Sequence, residues 1–207
     1  MDETSLATPD FTSEYTKLVP EILERVQSLY GKKAKKWEFN EICYEPDGPY
    51  LSYPESNTSA YPIEFKVNIT LQSGAKSNYD EGIFQISHEV IHLLSPTGDN
   101  ETNNLEEGLA VYFSKIYTEE KTNNLKIFHT PTPFTGYLYA YNMVSELLIG
   151  DKDAVLKVRT IKKKFDKIKK KHFKKAEVVA DKNLIKGLLE RFERIRPGED
   201  KPDENAR

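Results

Sequence analysis

Apolar and polar residues alternate without a fault from Ile63 to Leu71. This is the pattern of a half-buried strand with Ile63, Phe65, Val67, Ile69 and Leu71 facing inward. A second strand pattern runs from Trp37 to Tyr44 through Trp37, Phe39, Ile42 and Tyr44, with the alternation slipping by one near Glu41. Asp47-Gly48-Pro49 ends it, and Tyr50 to Tyr61 reads as turn-rich. Elsewhere the period is helical. Tyr15, Leu18, Val19, Ile22, Leu23, Val26, Leu29 and Tyr30 recur at helical spacing before Gly31, with Pro20 either kinking that helix or marking its first turn. Further helical patterns cover 83–94, the stretch from Asn104, Tyr137–Leu148, the apolar positions between Val155 and Phe173, and Val178–Ile195. The order of elements predicts an α+β, mainly helical fold. Its small sheet, antiparallel or mixed, comes from the first third and is followed by a pair of central helices and a helical C-terminal half.

Composition changes this picture in one place. The 207 residues, 38% of them hydrophobic, suffice for one core, so a single domain is expected over 1–195. The sheet and central helices would occupy about 11–150 and a basic helical part about 151–195, with 196–207 a disordered tail. Within that basic part, Lys157–Lys175 holds eleven Lys or Arg against one acid, Asp166, although the chain as a whole carries −3. Val155, Val158, Ile161, Phe165, Ile168 and Phe173 recur there at near-helical spacing, which makes the lysines the wet face of one or two helices. No stacking platform or base-reading motif accompanies them, which argues against a nucleic-acid partner. The competing use of this face is to hold nucleic acid or an anionic membrane. The one cysteine, Cys43, reads as a small core residue and suits a reducing compartment. The start is acidic and polar, and no apolar run approaches the roughly 20 residues that span a bilayer. A soluble, cytoplasmic protein is therefore expected.

The chemistry lies in Phe84-Gln85-Ile86-Ser87-His88-Glu89-Val90-Ile91-His92. At about 100° per residue, Leu93, Ile86, Val90, Ile83, Leu94, Ile91 and Phe84 fill one arc, and His88, His92, Gln85 and Glu89 fill the remainder. Only Ser87 breaks the division. His88-Glu89-x-x-His92 is the zinc-metallopeptidase signature: residues i and i+4 share a helix face, so both imidazoles reach one Zn²⁺. Glu89 lies beside them, placed to take a proton from water. A catalytic zinc takes three protein ligands, so one is still to be supplied.

Asn104-Leu105-Glu106-Glu107-Gly108-Leu109-Ala110 opens the next helix. Here the chain resembles the gluzincins, and within them the catalytic core of aminopeptidase-N-like enzymes, over about residues 83–150. The resemblance implies a zincin-like pair of active-site helices, a peptide or protein substrate, and Glu107 as the third ligand, followed by Gly108 and Ala110, whose small size would let this helix approach the first. The helical wheel leaves Glu106 open as an alternative ligand, and Asn104 as an N-cap with Glu107 at N3 needs no metal at all. The sister class His-Glu-x-x-His-x-x-Gly-x-x-His is excluded, because Ser95 and Gly98 stand at its last two positions. The resemblance also implies a transition-state tyrosine at Tyr137, with Tyr141 and the loop residue His129 as alternatives. It places a strand before the motif helix, so the strand ending at Leu71 either offers an open edge to extended substrate or lies inside the sheet. No Gly-x-Met-Glu-Asn segment holds a substrate amine, so endopeptidase and exopeptidase action both stay open.

Overall fold

The computed structural model describes residues 8–34, 37–54, 65–98, 101–124 and 135–194. Ile63, His129 and the stretch from Arg196 onward lie outside them. The order is α1 (Thr12–Tyr30), β1 (Trp37–Glu45), β2 (Tyr50–Ser52), β3 (Phe65–Gln72), α2 (Tyr79–His92), α3 (Asn104–Thr122), α4 (Thr135–Gly150), α5 (Ala154–Ile161), α6 (Lys170–Lys175) and α7 (Lys182–Leu188). This is the expected α+β, mainly helical architecture with a small mixed sheet.

α1 runs through Pro20, which therefore lies inside the helix and not in its first turn. Tyr15, Leu18, Val19, Ile22, Val26 and Tyr30 form its buried face, while Leu29 points outward. Gly31 ends it with φ 94°, a left-handed conformation that glycine adopts without a Cβ penalty.

The sheet order is β1-β3-β2, with β1 parallel and β2 antiparallel to β3. The slip near Glu41 is a real irregularity: the β1–β3 register shifts between Phe39 and Ile42. β3 lies in the middle, with β1 along its length on one side and β2 against Asn68–Thr70 on the other. Burial follows from that position. Val67, Ile69 and Leu71 are inside as expected, but Asn68 and Thr70 are buried as well. Asn40 Nδ2 donates to Asn68 Oδ1 at 3.0 Å, and Thr70 Oγ1 shares a hydrogen bond with Ser52 Oγ at 2.8 Å, which satisfies the polar side chains. β2 falls in the stretch expected to be turns; three residues are too few for a period to show. Cys43 is half-buried on β1 and is not a core residue.

α2 begins at Asn78, whose Oδ1 accepts the Glu81 N–H. It is buried around most of its circumference, from Gly82 to His92 apart from the half-buried Phe84. Ser87, out of place on the wheel, donates its hydroxyl to Ile83 O at 2.7 Å, so it needs no water. Gln85 is also buried: it accepts the Gln72 N–H and donates to Gln72 and Glu81. Gly108 serves a different neighbour from the one expected. A Cβ there would stand 2.2 Å from the Ala140 carbonyl oxygen, so its small size lets α3 lie against α4, not α2.

The basic stretch is divided between α5, a 3₁₀ turn at Phe165–Lys167 and α6. Val155, Val158, Phe165, Ile168 and Phe173 are buried, and every lysine from 157 to 175 is exposed or half-exposed. Arg159, in the midst of these lysines, is instead buried, at 1% exposed. The last helix is shorter than its apolar pattern implied: α7 covers Lys182–Leu188, Val179 is exposed, and Leu189–Arg194 is not helical. No described helix is long and apolar enough to cross a membrane.

Candidate metal centre

α2 and α3 pack on each other so that the first turn of α3 meets the last two turns of α2. His88 Nε2 lies 3.3 Å from Glu107 Oε2, and His92 Nε2 lies 3.7 Å from Glu107 Oε1. Nitrogen and oxygen donors each about 2.1 Å from a tetrahedral ion stand roughly 3.4 Å apart, so these spacings bracket what a metal needs. One candidate ligand atom from each of His88, His92 and Glu107 lies within 4.8 Å of the others, and all three residues are buried. The group could hold a metal ion.

The two adjacent glutamates have separate tasks. Glu106 Oε1 lies 3.0 Å from His92 Nδ1, the ring nitrogen away from Glu107, and so fixes the orientation of that imidazole. Glu107 is oriented in turn by Thr102, whose hydroxyl donates to Oε1 at 2.7 Å. The cap explains how neighbours on one helix diverge. Asn103, not Asn104, is the N-cap of α3; its Oδ1 accepts the Glu106 N–H at 3.0 Å. Glu106 is therefore at N3, and the capping box centred on Asn104 and Glu107 does not form. Asn104 is buried instead and donates to the Gly187 carbonyl at 2.8 Å.

Three carboxylates and two imidazoles share this dry volume. Burial pulls the His92 imidazole down, but Glu107, Glu106 and Glu89 outweigh it and carry it up to about 10. Burial opposes ionisation of Glu107, yet His92 and His88 beside it hold that carboxyl down at about 2. Glu89 and Glu106 are both raised, by burial first of all, against the pull of the histidines. The fit to a cation has a second mark: one carboxylate oxygen (Oε2) of each of Glu107, Glu89 and Glu106 is buried without a hydrogen-bond partner among the described residues. Unmet carboxylate oxygens facing imidazoles are costly in an apolar setting, and a metal ion would satisfy them.

The structure brings Tyr137 to this group and leaves Tyr141 away from it. The half-buried Tyr137 ring stands edge-on to His88 with centroids 6.0 Å apart and packs on Phe192 at 4.7 Å. Burial and then Glu107 raise its phenol above the usual range. Tyr141 stacks on Tyr112 of α3. A cleft opens over the site and is lined by His88, Glu89, His92, Glu107, the β2 residues Tyr50 and Leu51, and Arg194, among others. Thr102 and Arg194 were not foreseen. Thr102 has no pattern to betray it, and Arg194 sat inside what read as a helix.

Replacing Glu107 by Gln is expected to abolish most metal affinity, whereas Glu106→Gln should lower it about 10- to 100-fold, the usual effect of removing a group behind a ligand. Competition for Zn²⁺ against a chromophoric chelator would measure both; the reverse order would move the ligand to Glu106. Comparison with protein-family models, curated proteins and solved structures finds no match to this chain.

Proposed function

We propose that this protein is a gluzincin-type zinc peptidase that hydrolyses peptide bonds with Glu89 as general base. The observation that supports this best is the placement of Glu89. It is buried next to the His88, His92 and Glu107 donors, it lines the same cleft, and one of its oxygens has no partner among the described residues. His88, His92 and Glu107 would hold the ion, leaving a position for water as three-ligand sites do. Zinc held there supplies a Lewis acid that polarises a carbonyl and acidifies water. Glu89 accepts the proton of the attacking water and returns it to the leaving amine; burial raises its affinity for that proton, which suits a base that must also act as an acid. Tyr137, whose ring stands edge-on to His88, donates its hydroxyl to the negative charge that develops on the former carbonyl oxygen.

The test is metal removal. The purified protein should contain about one zinc per chain, as a single three-ligand site requires. It should cleave members of a broad peptide library, stop after chelation and recover when zinc is restored. A folded protein that binds no zinc, or one that is zinc-loaded and cleaves nothing, would remove the reading.

A further inference from the structure

After α7 the chain runs back along the start of α3. The Asn104 N–H donates to Glu190 O at 3.1 Å, Asn103 and Arg191 form an antiparallel bridge, and the Phe192 N–H donates to Thr102 O at 2.9 Å. Gly136 lets this run lie on the first turn of α4, since a Cβ there would be 2.2 Å from Glu193 O. The path ends with the Arg194 side chain in the cleft that holds His88, Glu89 and Glu107. Its guanidinium lies close enough to Tyr137 to favour the ionised form of that phenol, against the larger effects of burial and Glu107.

Among the described residues that line the cleft, Arg194 is the only Lys or Arg, and it is exposed while the three glutamates are buried. Glu106 Oε1 is engaged with His92 and Glu107 Oε1 with Thr102, while the buried Glu89 lies within the electrostatic reach of Arg194. A guanidinium carries five N–H groups in a planar fork that matches a carboxylate. We propose that Arg194 receives a carboxylate of the substrate, so that the site selects chains with a negative charge close to the bond over the metal centre. That carboxylate is either a free C-terminus or an Asp or Glu side chain. The peptide character of the ligand rests on the peptidase reading above; the carboxylate preference does not.

The experiment uses fluorescent peptides of one sequence ending in a free acid or an amide, and a third ending in an amide with an internal Glu. Binding is read by anisotropy in a Glu89→Gln background, so that the peptides stay intact. Losing a charge-assisted, two-pronged contact should cost about 10- to 100-fold in affinity. The acid or the Glu-containing amide should therefore bind tighter than the plain amide by that factor, and whichever does identifies the source of the carboxylate. Arg194→Gln should bring both down to the plain amide value, and Arg194→Lys should restore part of the difference. No charge preference in the Glu89→Gln protein, a preference that survives Arg194→Gln, or equal losses for acid and amide would each overturn the proposal; the last would make Arg194 a support for Tyr137. If the charge preference holds but unmutated protein hydrolyses nothing, the peptidase reading fails and the carboxylate site stands.

Discussion

Glu89→Gln is expected to keep its zinc and its melting temperature while peptide hydrolysis falls by about 10² to 10⁴, or roughly 3–5 kcal/mol of barrier. The amide preserves the size of the side chain and removes its capacity to take a proton. Glu89 does not belong to the group whose donor atoms converge, so the ion should not depend on it. Its buried environment also favours the substitution in the folded state, because a neutral amide needs no compensating charge. Zinc content, a thermal melt and turnover of one cleaved peptide decide the matter together. Loss of zinc would make the glutamate structural; unchanged turnover would give the base role to another group.

Arg159→Met should lower stability by about 3–5 kcal/mol, the scale seen when a buried charged group is removed and its partners are left behind. The guanidinium donates to the carbonyls of Tyr30, Gly31, Lys32, Leu94 and Lys163 at 2.6–3.3 Å and stacks over Phe165 with 4.7 Å to the ring centroid. Burial draws its pKa down to about 10 against the attraction of Glu106, so it stays charged at neutral pH. Met fills a similar length but donates nothing, and the carbonyls of Tyr30, Gly31 and Lys32 would lose the arginine's hydrogen bonds, whereas Leu94 O keeps the Ala34 N–H. For a chain of this size the loss corresponds to a fall in melting temperature of roughly 6–20 °C. A fall under about 2 °C, within the usual effect of a surface change, would mean that water replaces the arginine.

Much of the site was legible because its chemistry obeys a helical period. His88, Glu89 and His92 are one turn of one helix, and the wheel separated them from Ile86, Val90 and Ile83 before any coordinates. Glu106 and Glu107 were harder, since neighbouring positions on a first turn differ by a rotation that the cap residue sets, and Asn103 and Asn104 cap equally well on paper. The fold was legible to the same depth. The slip in β1 was visible as a broken alternation, whereas the central position of β3 depends on a three-residue partner with no period of its own. Arg159 could not be told from its lysine neighbours by charge; what distinguishes it is a ring of main-chain oxygens drawn from three distant segments. Arg194 was hidden for the opposite reason. Leu184, Ile185, Leu188, Leu189 and Phe192 continue a helical spacing that the chain abandons once it hydrogen-bonds to the start of α3.

The distance along the chain between partners has a kinetic side. Glu106 reaches His92 across a separation of 14 residues, whereas Arg159 reaches Tyr30 across 129. For a flexible chain the longer closure costs about 2 kcal/mol more. The helix hairpin that carries His88, His92 and Glu107 thus rests on contacts of low sequence separation, able to form before the arginine clamp closes, and local contacts of that kind form early in folding. The candidate metal group would then be assembled ahead of the contacts that tie α5 to the end of α1.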